Sequence, residues 1–107
     1  MVRDPDLKPI HPGEILREEL LKTYGMNSEQ LAKIIKVEEK IVKEIVQEKR
    51  DITPELSYRL GLCWGIREDY WLDLQKHYEL DCWKEHHELK KIIKQIQPIE
   101  TVKSADI

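Results

Sequence analysis

Residues 28 to 47 carry the pattern that most limits how this chain can fold. Apolar residues recur there at the spacing of two short amphipathic helices, the second running from about Glu38 to Gln47. The break between the two patterns falls near Lys36 and Val37. A connection this short makes the two helices neighbours in space. The sequence therefore predicts a pair of helices joined by a tight turn.

Capping signals predict one helix before this pair and mark the start of the pair itself. A helical pattern covers Glu14 to Thr23, and Gly25 is placed to end it. Asn27 is a good N-cap, and Gln30, three residues later, can complete a capping box. The next helix is expected to turn four apolar residues inward: Leu31, Ala32, Ile34 and Ile35.

Helices are also predicted after the pair. Thr53 followed by Pro54 is a strong start signal, and Gly65 is placed to end that helix. Residues 67 to 97 contain neither glycine nor proline, so they form one long helix or two. No strand pattern competes. The predicted fold is all-α: five to six helices in a phage-repressor-like helix-turn-helix domain with a C-terminal helical extension.

The spacing in residues 28 to 47 fits a helix-turn-helix, in which one helix holds the next at the angle needed to enter the DNA major groove. Ala32 supplies the small residue where the helices pack closest. Four residues later the turn needs a left-handed backbone, and Lys36 occupies that place at a cost of about 1 kcal/mol relative to glycine. The alternative is an ordinary helical hairpin in a core.

Charge gives no general attraction to nucleic acid. The net charge of the 107 residues is −3, and residues 1 to 50 carry ten basic and ten acidic side chains. Any DNA-binding surface must therefore be a local patch. The two cysteines are too few for a disulfide framework, and no segment has the length and apolarity of a membrane span or secretory signal. We expect a reduced, cytoplasmic protein.

Four segments together resemble a known family: HPGEILREELL at 11–21, LAKIIKV at 31–37, KRDITPELSYRLG at 49–61 and YWLDLQKHYEL at 70–80. They are similar to HigA-type antitoxins, also called virulence-associated protein I, of the XRE or Cro/CI-like repressor class. The resemblance implies a homodimer that binds an inverted-repeat operator in its own promoter. It also implies a second partner, a HigB-type toxin of the RelE class that cleaves mRNA on the ribosome.

The predicted recognition helix has an unusual start, because it begins with Glu38 and Glu39. Their carboxylates would repel DNA phosphates, although they interact favourably with the positive end of the helix dipole. A glutamate can nevertheless accept a hydrogen bond from cytosine N4. Lys43 and Gln47 can contact guanine and adenine edges, whereas Lys49 and Arg50 suit contacts to phosphate. The predicted DNA-binding residues are Ser28, Glu39, Lys40, Lys43, Glu44, Gln47, Lys49 and Arg50.

Two alternatives remain open for this surface. It is an ordinary solvated face if Lys40 and Lys43 only pair with Glu44 and Gln47. The chain could also be a protein-interaction module that binds a toxin or assembles through its last helix, with weakened or lost DNA binding; Lys36 and the two glutamates favour this.

An apolar stripe lies near the C-terminus, where it is hard to bury in so small a domain. It forms either a dimer or partner surface or a helix folded back on the chain's own core. Its residues are Trp83, Leu89, Ile92, Ile93 and Ile96.

A metal-dependent enzyme has only a cluster of possible ligands in its favour: His77, Cys82, His86 and His87. A metal site needs three or four converging ligands, and one helical turn easily supplies two. We therefore expect no metal, no cofactor and no catalysis. The expected organisation is an extended arm (1–12), a helix-turn-helix domain (13–80), a C-terminal helix (81–98) and a flexible tail (99–107).

Overall fold

The computed structural model describes residues 8 to 99. Its elements are α1 (Pro12–Ile15), which continues as a π-helical segment (Leu16–Leu21), then α2 (Ser28–Ile35), α3 (Glu39–Val46), α4 (Pro54–Trp64), α5 (Tyr70–Glu85) and α6 (Leu89–Gln95). No strand occurs among the described residues. The predicted all-α fold is confirmed. Residues 1–7 of the predicted arm and residues 100–107 of the predicted tail lie outside the described residues.

The first helix begins at Pro12, two residues before the predicted start, because His11 caps it. The Gly13 amide donates a hydrogen bond to His11 Nδ1 over 2.9 Å. The second part of the helix is π-helical, a rare form in which the hydrogen bonds join residues five apart. Gly25 follows with φ of +60°, in the left-handed conformation that ends a helix.

Both predicted capping signals are confirmed. Asn27 Oδ1 accepts from the Gln30 amide at 2.8 Å, and Gln30 Oε1 accepts from the Asn27 amide at 2.9 Å. Thr53 Oγ1 accepts from the Leu56 amide at 3.2 Å. These local contacts fix where α2 and α4 begin.

One hydrophobic core joins the first five helices. Trp71 of α5 is fully buried in this core. Ile34 was predicted to face inward, but this is wrong, because its side chain is 51% exposed. Ile34 lies beside the face of α2 that packs on the core. With Leu62 and Lys36 it lines a surface groove. The other core residues are Leu16, Leu21, Leu31, Ala32, Ile35, Val42, Ile45, Ile52, Leu56 and Leu60.

The stretch from residue 67 to 97 forms two helices, α5 and α6, separated at residues 86–88. Helix α5 is continuous across residues 80 and 81, so the expected boundary of the C-terminal extension falls inside a helix. Helix α6 contains no buried residue. The alternative in which the apolar stripe folds back on the core is therefore wrong. Across residues 8–99, no helix combines the length and apolarity needed to cross a membrane.

Candidate nucleic-acid interface

The turn between α2 and α3 has the geometry that the sequence predicted. Lys36 adopts φ of 62° and ψ of 49°, a left-handed conformation at the C-cap of α2. The Val37 amide donates to the Ala32 carbonyl at 3.0 Å. A guanidinium nitrogen of Arg59 donates to the Ile35 carbonyl at 2.8 Å, so α4 satisfies a carbonyl at the end of α2.

Contacts from the π-helical segment that follows α1 fix the other end of α3. Arg17 donates from its guanidinium to the Val46 carbonyl and forms an ion pair with Glu48 at 3.3 Å. Glu48 has φ of 62°, so the chain reverses direction directly after α3. Val42 and Ile45 are fully buried on the inner face. The helix is therefore held along one side while its other side faces solvent.

The exposed side of α3 carries an ion pair near its start. Lys43 Nζ lies 2.9 Å from Glu39 Oε2, one helical turn apart. The hydrogen bond to Glu39 is the main cause that raises the pKa of Lys43, and the Glu29 charge on α2 contributes to the same shift. Lys43 is thus a full cation next to a carboxylate at neutral pH.

A second ion pair ties the loop after α3 back to the helix. Arg50 Nη2 lies 2.6 Å from Glu44 Oε1, and its Nε donates to the same oxygen at 2.8 Å. The alternative in which Lys40 and Lys43 pair with Glu44 and Gln47 does not match these contacts, because Lys43 pairs with Glu39 and Glu44 pairs with Arg50. Glutamate placed four residues before lysine is the better helical orientation, and Glu39 has it.

Two cations of this surface remain uncompensated. Lys40 and Lys49 are exposed and make no ion pair with any residue in the range 8–99. Gln47 is exposed at the C-cap of α3. Ser28 is half-buried and opens α2. The structure thus brings the eight predicted DNA-binding residues onto α2, α3 and the loop following α3.

Two histidines of the predicted cluster near the C-terminus contact the backbone of α5. His86 Nδ1 lies 2.8 Å from the Cys82 carbonyl, and His87 Nδ1 lies 2.6 Å from the Trp83 carbonyl. The His87 ring also stacks on Trp83, with centroids 4.2 Å apart. Within residues 8–99 no group of three or more His, Cys, Asp or Glu could hold a metal ion.

The apolar stripe is accessible. Trp83, Leu89, Ile93 and Ile96 are exposed, whereas Ile92 is half-buried. Ile99, which was not among the predicted stripe residues, is 69% exposed and follows Ile96 closely in the sequence. Sequence reasoning also missed His11, Arg17 and Arg59. These residues hold the first helix, α3 and α2 in place. Each of the three has a backbone group among its hydrogen-bond partners, and no residue pattern identifies such a partner in advance.

Comparison with known proteins decides the family. No family model matches the chain. Virulence-associated protein I of Dichelobacter nodosus is 40% identical over 96 residues, which cover 90% of this chain and 86% of that protein. The chain belongs to the virulence-associated protein I and HigA family. The family is a class of helix-turn-helix regulators and antitoxins, and the names of these relatives do not describe enzymes.

Solved structures of HigA-type proteins share the fold over nearly their whole length. A Pseudomonas aeruginosa protein in complex with its 18-base-pair operator DNA is 35% identical, with a TM-score of 0.79, covering 87% of this chain and 99% of that one. The antitoxin HigA of P. aeruginosa, solved with the higBA promoter, is 36% identical with a TM-score of 0.75, covering 86% and 99%. The predicted helix-turn-helix class is confirmed.

Proposed function

We propose that this chain is a HigA-type antitoxin that binds operator DNA and represses its own promoter. The observation that carries the proposal is the setting of α3. Its inner face is anchored by buried Val42 and Ile45, and its outer face presents polar side chains. Two relatives with the same fold have been solved with operator or promoter DNA, which supports the same use here.

In this function, some side chains of α3 and the loop after it contact DNA bases, and others contact DNA phosphates. Lys43 and Gln47 lie along the helix that would enter the major groove, where lysine suits guanine and glutamine suits adenine. Glu39 is a possible acceptor for cytosine N4. Lys40 and Lys49 are free to contact phosphates, and Arg50 lies in the same loop.

A second candidate function, protein interaction with weakened DNA binding, is favoured by the charge balance of this surface. Lys43 is paired with Glu39, and Arg50 with Glu44, so two of the four cations are already compensated. Exposed ion pairs contribute only about 0–1 kcal/mol, however, so phosphates compete with them at little cost. The uncompensated Lys40 and Lys49 therefore favour DNA binding as the first function.

We further propose that the apolar stripe on α5 and α6 pairs two copies of the chain. A homodimer would place two copies of α3 one DNA turn, about 34 Å, apart, as an inverted-repeat operator requires. The exposed side chains of Trp83 and Ile93 support an interface, because pairing two copies there would remove apolar surface from water.

The proposed protein partner of this antitoxin is a HigB-type toxin of the RelE class, which it would bind and neutralise. Family membership supports this partner. The test is co-expression of this chain with such a toxin in cells: restored growth is expected, together with co-purification of the two proteins. Persistent growth arrest with soluble, folded antitoxin present would contradict the proposed partner.

Operator binding is tested by titrating the protein onto the DNA upstream of its own gene, against scrambled DNA of equal length, at two salt concentrations. We expect tighter binding to the upstream DNA, with affinity for both DNAs falling as salt rises. Equal affinity for the two DNAs would contradict autorepression and favour the protein-interaction function.

A further inference from the structure

Glu39 and Lys43 form a single donor–acceptor unit on the first turns of α3. Their carboxylate and ammonium groups are 2.9 Å apart, and the side chains are 37% and 56% exposed. The N-terminal part of a recognition helix is the part that contacts base edges. This unit therefore lies where sequence is read, and both of its members remain accessible to a ligand.

Hydrogen-bonding capacity is left over on both sides of the pair. Only Oε2 of Glu39 is used, and its Oε1 accepts no hydrogen bond from the part of the chain between residues 8 and 99. The Lys43 ammonium has three N–H donors and spends one on Glu39. Two donors and one acceptor thus remain, side by side, for groups outside the protein.

We propose that Glu39 and Lys43 together read one G·C base pair, an inference that rests on the proposed operator binding. In the major groove guanine presents two adjacent acceptors, N7 and O6, and its cytosine presents the N4 donor beside them. Two lysine donors match the guanine acceptors, and the free glutamate oxygen matches the cytosine donor. An A·T pair presents a donor at the central position, where it would oppose the ammonium.

The pairing also explains how a carboxylate can sit at this place in the groove. A lone glutamate would be repelled by the phosphates on both sides, whereas the Glu39–Lys43 unit carries no net charge. Glu29 on the first turn of α2 adds negative charge near Lys43 and helps to raise its pKa. The lysine therefore stays protonated and able to donate.

Selection from a DNA library with randomised half-sites tests this inference with three proteins: wild type, Glu39→Gln and the control Glu38→Gln. Glu38 precedes Glu39, is exposed, and makes no cap hydrogen bond or ion pair with residues 8–99. Each variant therefore removes one exposed negative charge, but only Glu39→Gln breaks the pair. Circular dichroism checks that all three are equally folded.

We expect wild type and Glu38→Gln to select the same half-site, with an invariant G·C pair. Glu39→Gln should lose the preference for that pair by roughly tenfold or more, and shift toward A·T, because an amide pairs well with adenine. Unchanged selection by Glu39→Gln, or an equal change in Glu38→Gln, would overturn the inference while leaving operator binding intact. Failure of wild type to enrich any sequence would overturn operator binding and the inference together.

Discussion

A Cβ atom on Gly13 would lie 1.7 Å from the backbone oxygen of Ile45. The missing side chain at Gly13 therefore lets the start of α1 pack directly on the backbone of α3. The Arg17 contact to the Val46 carbonyl adds to this close approach. The first helix, including its π-helical segment, therefore supports α3.

Replacing Gly13 with alanine should lower the free energy of unfolding by about 3 kcal/mol or more, since backbone must move to make room. Urea denaturation followed by circular dichroism measures the change. Gly25→Ala is the control: Gly25 has φ of +60° but open space around it, so about 1 kcal/mol is expected. Equal losses in the two variants would show that the α1–α3 approach is not tight.

Lys36→Gly should raise the free energy of unfolding by about 1 kcal/mol, because glycine adopts the left-handed conformation of the α2–α3 turn without strain. The midpoint of urea denaturation should rise with an unchanged slope. Lys33→Gly, within α2, should instead lower stability by about 1 kcal/mol. A loss of stability in Lys36→Gly would mean that the lysine side chain contributes more than the strain costs.

Protonation of His11 should weaken the fold. Burial lowers the pKa of His11 below 6.5, against the opposing effects of Glu48, Asp51 and the Arg50 backbone. The unfolded chain therefore binds the proton more readily, so the stability this neutral cap provides is complete above pH 6.5 and is lost as the pH falls below that value. Tyr78, whose ring centroid lies 4.8 Å from that of His11, encloses the same site.

The free energy of unfolding at pH 7 and pH 5.5 measures this effect. His11→Asn retains a capping side chain without the titration, so its stability should fall less over the interval than that of wild type. His77→Asn, on an exposed position of α5, should follow wild type. Parallel pH dependence of wild type and His11→Asn would contradict the role given to His11.

Ile93→Asp should convert the proposed dimer to a monomer, since Ile93 is 72% exposed on α6 and a carboxylate there would be desolvated in an interface. Sedimentation equilibrium measures the mass. Ile34→Asp, at an exposed apolar position of α2, should leave the mass unchanged. An unaltered dimer in Ile93→Asp would place the interface elsewhere.

The parts of the fold that depend on neighbours in sequence could be predicted. The Asn27–Gln30 capping box, the Thr53 cap and the left-handed Lys36 each follow from a few adjacent residues. Such contacts have the same geometry in any protein that contains them. The helix-turn-helix could therefore be predicted from the sequence, although the same pattern also fits an ordinary helical hairpin.

The errors and omissions involve groups that meet only in the folded chain. Ile34 was assigned to the core from helical spacing, but the packed arc of α2 is narrower than the apolar pattern. Arg50 pairs with Glu44 from the loop after α3. Hydrophobic periodicity predicts helices but not the path of a loop, so this pair could not be predicted. Arg17 and Arg59 donate to carbonyl oxygens of other helices. Every residue has such an oxygen, so the sequence cannot show which one is the partner.

The most direct test of the reading helix compares wild type with the double variant Lys43→Ala/Gln47→Ala on the DNA upstream of the gene and on scrambled DNA. Lys76→Ala, an exposed cation on α5, is the control. The double variant should lose affinity for the upstream DNA by about tenfold or more and change much less on scrambled DNA, while the control matches wild type. Undiminished preference for the upstream DNA in the double variant would contradict α3 as the reader.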